Sequence, residues 1–540
     1  MGYYYLQGGT SLQKLNAAGT TITTLTLPSG VTLSPTRVPR FAILGESVVM
    51  VNSPTVNLLI DPSDDSVRRM SPLGPITPPL AAAGAGTGLT GAYRAKYTFL
   101  IKDSYGKVLA ESPFSPESTS VTLSNTGLLV TGISISPDPA VNSRRVYRTV
   151  AGGAVYFHWE DLDGNVQTSV DNNMTDARLS LLPAPTTLGN PPGSAIGSGS
   201  MELVTAWKGR LWGRGRISNL TIGTPIVDIL WWSEIRKPGQ WPEKNTLPIP
   251  PVGADEFGIT ALIPRRDVLG IAKRDSLWIV TDPNPLEGSL RAVVNGVGCV
   301  APESVVVIHD NAFWLGEDGI YQWNNDGVKN ISKESVDPWF TTTTYFNRAE
   351  FVNAKARWDP VRGTYDLLLA ATGGTALNRW VNYYLRDKVF FGIHLTGAFT
   401  GSSIGLAEDT DDLALPLFGS TSGFLWKEQA TRTDSTATAI DADMTLPFFS
   451  GNVPDIQKVW LQPSFFTAVE SGGTLTVTPT VGGLNTAAGT AKTHTLTTGR
   501  ERLGRLGIGR LCRLRLRQNT NAEDVTLYGI ELPYEELGRR

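Results

Sequence analysis

One short phrase recurs along this chain and limits what it can fold into: a Gly, Asp or Ser turn followed at once by a few apolar or aromatic residues. It reads as GGTSLQKLNAAG (8–19), KGRLWGRGR (208–216), KRDSLWIVTD (273–282), EDGIYQWNNDG (317–327) and TSGFLWKEQATRTD (421–434). In FWLGEDGIYQW (313–323) two aromatic runs face each other across Gly-Glu-Asp-Gly, which is hairpin chemistry. Another strand-length apolar segment precedes the later copies, as VTAWKG, DVLGIAK, VVVIHDNAFWLG and LALPLFGS. TYDLLLAAT (364–372) and RWVNYYLRDKVFFGIHL (379–395) add two more strand-like runs before the last copy.

The interval from Leu277 to Ile320 falls near the roughly 40 to 50 residues of a four-stranded propeller blade. Such a blade cannot bury both faces alone, so blades stack around an axis. That places Trp212, Trp278, Trp314, Tyr321, Trp323 and Trp426 in the packing between them. A string of unrelated β-sandwiches is the alternative, but it would not require a common phrase.

Composition agrees with many short strands. Among 540 residues there are 56 Gly and 35 Pro, against only 18% charged residues, a profile that suits turns and strands better than helices. The expected fold class is all-β and multi-domain. A formal charge of −3 gives no global nucleic-acid footprint. Cys299 and Cys512 lie far apart with no CxxC spacing, so they are expected as small core residues rather than a disulfide or zinc site. MGYYYLQGGTSLQKL lacks the pattern of a secretory leader and no apolar run is long enough to span a bilayer, so membrane insertion is not expected and assembly in a cytoplasm is.

The segment LAAAGAGTGLTGA (80–92) reads as an Ala/Gly linker, and LGNPPGSAIGSGS (188–200) as a second one. Between them, YRAKYTFLIKDSYGKVLAESPFSP and the runs after it have the cadence of a fibronectin-III-like or immunoglobulin-like sandwich, without a cysteine pair. The expected layout is an N-terminal propeller segment (1–80), an inserted sandwich (89–187), the main propeller blades (201–445) and a C-terminal β-sandwich (446–540). In GRLCRLRLRQ, Cys512, Leu514 and Leu516 should share one strand face and Arg513, Arg515 and Arg517 the other. With Arg500, Arg502, Arg505 and Arg510 they form a basic cluster, read either as a solvated face or as a contact with nucleic acid or a neighbouring subunit.

Catalytic patterns are sparse. His158, His309, His394 and His494 are isolated, no GxSxG elbow supports a serine hydrolase, and GRERLGRLGIGR lacks the Lys-Ser/Thr ending of a phosphate-binding loop. Glu317 with Asp318, and the run EDTDD (408–412), stand at turn tips where a sugar could reach them, yet adjacent turn-tip carboxylates usually face water. No enzymatic activity, cofactor or metal is expected.

The series GRLWG, ILWWSE, GIAKRDSLWIVT, GCVAPESVVVIHDNAFWLGEDGIYQWNNDGVKNIS and the C-terminal LYGIELPYEELGRR resembles the tail nozzle or tubular tail proteins of short-tailed bacteriophages, best over 200–340. The resemblance implies a propeller-containing structural protein of the virion tail. Its copies, six in number, would form a tube below the portal and adaptor rings, contact tail fibres or a tip protein, and gate and conduct viral DNA during ejection. Tight phosphate contacts would stall DNA, so acidic loops are the expected lining: ESPFSPES, EDGIYQWNND and above all the loop with Glu408, Asp409, Asp411 and Asp412. The second reading is a receptor-recognition or baseplate protein that binds host glycans, with Trp231, Trp232 and Trp241 as exposed interface aromatics. If 231–232 lie in a strand, one of the two must point inward.

Overall fold

A computed structural model describes residues 4–16, 21–52, 56–182, 201–215, 217–218, 225–226, 228–242, 244–250, 258–285, 289–395, 400–408, 414–427, 442–469, 472–483, 486–519, 525 and 527–537. They fall into two compact units, the first made by residues up to 395 and 400–427, the second by the described residues after 427.

Antiparallel meanders dominate the first unit, as alternating short strands with glycine turns require. Sheet A holds Tyr4–Gly8, Ser11–Leu15 and Ile22–Thr24, and sheet B holds Arg40–Leu44, Ser47–Asn52, Val56–Ile60 and Val67–Arg69. Sheet C holds Met201–Trp207, Arg210–Gly215, Ile229–Trp232 and Thr246–Pro248; sheet D holds Ala261–Pro264, Leu269–Ala272, Ser276–Val280 and Leu290–Asn295. Sheet E holds Val306–Ile308, Asn311–Leu315, Ile320–Asn324 and Gly327–Asn330. A seven-stranded sheet follows in two halves: F, with Lys355–Asp359, Thr364–Ala370, Leu377–Tyr384 and Val389–Leu395, and G, with Gly401–Glu408, Ala414–Ser420 and Leu425–Lys427. The halves are joined by the single pair Leu377 and Gly401.

The sheets pack in a cycle. Leu12, Leu25 and Leu33 bury Val48, Met50, Leu58 and Ile60, seating the A region on B. Val49 and Val51 of B meet Met201, Val204 and Leu211 of C, and Trp207, Trp212 and Trp232 of C meet Leu269 and Ile271 of D. Ile263 and Leu277 of D meet Trp314 and Trp323 of E, and Phe313 and Leu315 of E meet Tyr365 and Leu367 of F. Leu15 of A with Ala407 and Leu417 of G closes the circle. From B to G, the first strand of each sheet also touches the first strand of the next. Trp212, Trp314, Tyr321 and Trp323 are buried as inter-sheet packing, whereas Trp278 and Trp426 are half-buried.

A sandwich is inserted between sheets B and C. One sheet is Val108–Glu111, Ala95–Lys102, Ser143–Arg148 and Phe157–Asp163; the other is Val170–Asn172, Val121–Thr131 and Leu80–Tyr93, and both bury side chains in one core around Tyr97, Leu128, Val146 and Trp159. The expected linker at 80–92 is therefore a correction: it is a 14-residue strand paired with Val121–Thr131. Gly84 of this strand and Gly127 of its partner serve close approach, whereas Gly86, Gly88 and Gly91 have φ of +87°, +119° and +120°, the region that favours glycine. A Cβ on Gly127 would lie 1.9 Å from the Ala85 oxygen, and one on Gly84 would lie 2.5 Å from Asp171 Oδ1. The sandwich thus begins at Leu80, not at 89; the expected second linker, 188–200, lies outside the described residues.

The second unit contains three sheets around a core that includes Trp460, Phe465, Val477, Leu514 and Leu516. Ala442–Thr445, Leu511–Gln518, Thr474–Gly482 and Lys492–Thr495 form one sheet; Gly507–Gly509, Lys458–Trp460 and Tyr534–Glu536 another; Arg500–Arg502, Ser464–Thr467 and Leu527–Glu531 the third. Because Ala442–Thr445 pairs with Leu511–Gln518, this unit starts before the expected boundary at 446.

Candidate functional site

Charge collects where the first strands of the cycle meet. Arg40 Nε lies 2.6 Å from Glu303 Oε1, Arg40 also donates to the Glu202 carbonyl, and Arg214 pairs with the Glu202 carboxylate. Arg37 approaches the same carboxylate at 3.9 Å. Burial lowers the pKa of the neighbouring Lys355 ammonium, with Glu303 opposing the shift and Arg40 adding to it. Cations and anions contributed by segments distant in sequence thus answer one another here. A second staple lies one sheet on: buried Arg357 pairs with buried Asp366 at 3.0 Å and stacks on Trp380 and Phe418.

The residues singled out from sequence have varied fates. Glu408 ends the strand Gly401–Glu408, while Asp409, Asp411 and Asp412 lie outside the described residues. Of the other acidic loops, Glu111 is buried and accepts hydrogen bonds from Thr98 and Tyr147, so it cannot line an aqueous path. Glu317 pairs with Arg274, and Asp318 accepts from Tyr321 Oη at 2.6 Å.

Trp232 and Trp241 are corrections, since they are 3% and 0% exposed. Trp232 stacks on Trp212, and Trp241 packs with Val49, Met70 and Met201, its indole N–H donating to the Pro238 carbonyl. Trp231 is half-buried, so adjacent strand residues do point opposite ways.

The arginine strand alternates as expected: Cys512, Leu514 and Leu516 are buried, Arg515 and Arg517 are exposed, and Arg513 is intermediate. On the outer face Thr476, Thr478 and Thr480 stand opposite Arg517, Arg515 and Arg513 in register. Arg515 is paired with Asp443 and Arg513 lies 4.6 Å over Phe448.

Two features escaped the sequence reading because their members are isolated along the chain. His494 is wholly buried, with Nε2 3.0 Å from Thr467 Oγ1 and Nδ1 3.0 Å from Glu501 Oε2. The chain of hydroxyl, imidazole and carboxylate has catalytic composition, but Thr467 is itself 4% exposed, and the arrangement ties three strands together. The second is an open cleft of about 600 Å³ lined by Leu461, Gln462, Ser464, Arg502, Arg505, Glu531, Leu532 and Pro533. Among the described residues no cluster of His, Cys, Asp or Glu could hold a metal, and no helix is long and apolar enough to cross a membrane.

Neither a protein-family description nor a curated protein matches the chain. Among solved structures, the extracellular domain of a putative one component system from B. thetaiotaomicron aligns over 92% of this chain and 74% of that one, at 8% identity and a TM-score of 0.26. Likeness at that level carries neither a fold nor a function across.

Proposed function

We propose that this protein is a structural subunit of a bacteriophage tail, forming the nozzle or tube beneath the portal and adaptor through which DNA leaves the particle. The observation that supports this reading best is the cycle of meander sheets A to G, which suits a β-propeller with first strands innermost. The inserted sandwich and the separate C-terminal unit fit the multi-domain β protein that the sequence resemblance to nozzle proteins implies.

In such a propeller the axis is occupied by Arg40, Glu303 and their charged neighbours, so DNA passes between copies rather than through one. Partners are then further copies of this chain, an adaptor ring, and fibres or a tip protein, with viral DNA in transit. The deciding experiment is a cryo-electron microscopy reconstruction of the particle with the copies counted. Six copies closing a tube below the adaptor is the expected result; peripheral copies away from the DNA path would overturn it.

A further inference from the structure

We infer that the cleft in the second unit is a binding site for an acidic saccharide, a sugar carrying a carboxylate beside its hydroxyls. This inference does not depend on the nozzle reading.

The site is built on one row of a sheet. Ser464 lies in register with Arg502 on one side and Glu531 on the other, so all three point to the same face. Across two strand spacings, the backbones of Arg502 and Glu531 stand about 10 Å apart. The next positions on that face, Phe466 and Arg500, are in register. Arg500 is occupied, lying 4.9 Å over the Phe466 ring and 3.5 Å from Glu531 Oε2. Arg502 and Arg505 differ. Both line the cleft, both are exposed, and neither has a carboxylate within ion-pair distance among the described residues.

The lining selects the ligand. Two available guanidinium groups are planar forks that grip a carboxylate through paired N–H donors. Gln462, Ser464 and Glu531 supply polar groups for hydroxyls, with Glu531 accepting, and Leu461, Leu532 and Pro533 give an apolar wall for the C–H face of a ring. A volume of about 600 Å³ lies in the usual range for small-ligand sites. None of the residues lining the cleft is aromatic, so nucleotide bases would find no stacking platform there.

The test titrates the full-length chain by calorimetry with a galacturonate trisaccharide, a neutral glucose trisaccharide of the same length, inorganic phosphate and a short single-stranded DNA. The R502A/R505A double variant and R513A are run beside it. Both cleft arginines are exposed, so the double variant keeps its core. Expected are binding of the acidic trisaccharide but not the neutral one, a loss of roughly tenfold or more in the double variant, and no change in R513A. The inference is overturned if the acidic trisaccharide does not bind, if the double variant binds it equally, or if DNA or phosphate binds more tightly at this site.

Discussion

Asp161 shows how single side chains hold the inserted sandwich together. Its carboxylate accepts from Arg145 Nε at 2.6 Å and Nη2 at 2.9 Å, lies 3.0 Å from His158 Nε2, and pairs with Lys102 at 3.1 Å. Burial pushes the carboxyl up, but the bonds from Arg145, His158 and Lys102 outweigh it and hold it well below the usual carboxylate range. The folded pKa is therefore depressed, so this stabilisation is complete above the unfolded value of about 3.9 and drains away as pH falls below it. Asp161→Asn should destabilise the sandwich by about 2 kcal/mol at pH 7. Hydrogen exchange in Ser143–Arg148 and Phe157–Asp163 reads this out, and the gap from the unmodified chain should narrow by pH 3. A gap unchanged by acid would show that Asp161 acts through packing alone. The cysteines were legible as core residues, and burial pushes both thiols up to about 12. The tryptophans at 232 and 241 were not, because Trp241 is buried by Val49 and Met70, whose approach depends on sheets B and C meeting.

At the scale of elements, turn chemistry was readable and strand identity was not always so. The FWLGEDGIYQW hairpin forms as expected, with Leu315 opposite Ile320 and Trp314 opposite Tyr321. The Ala/Gly run at 80–92 misleads because composition cannot distinguish glycine needed for freedom from glycine needed for contact. Sheet E separates those two roles. Gly319 has φ +154° and a Cβ there would lie 2.1 Å from Ser332 Oγ, a hydroxyl that accepts from the Ile320 N–H and donates to Asn330. Gly327 has φ +118° and open space around it. Gly319→Ala should therefore cost about 2 to 3 kcal/mol, strain plus a displaced hydrogen-bonded hydroxyl, and Gly327→Ala about 1 kcal/mol from strain alone. Urea unfolding followed by exchange in Asn311–Leu315 measures both; equal effects would mean that Ser332 moves aside freely.

For the first unit taken whole, the recurring phrase announced repeated meanders, while their irregular spacing concealed how many there were. Sheet A is the informative case: its own strands are too short to bury a core, yet Leu15 packs with Ala407 and Leu417 of sheet G, from the opposite end of the unit's sequence. A linear string of sandwiches would have no such contact, and a radial set of blades needs one. The two arrangements predict different responses to a single substitution. Leu15→Asp places a charge in that seam, so in a closed cycle it should raise hydrogen exchange in Gly401–Glu408 and Ala414–Ser420 as strongly as in Ser11–Leu15. Exchange in Leu269–Ala272 and Ser276–Val280 of sheet D, which the seam does not touch, should stay unchanged. If sheet G were indifferent to the substitution, the circle would be open at that seam, and a tube assembled from closed propellers would lose its structural basis.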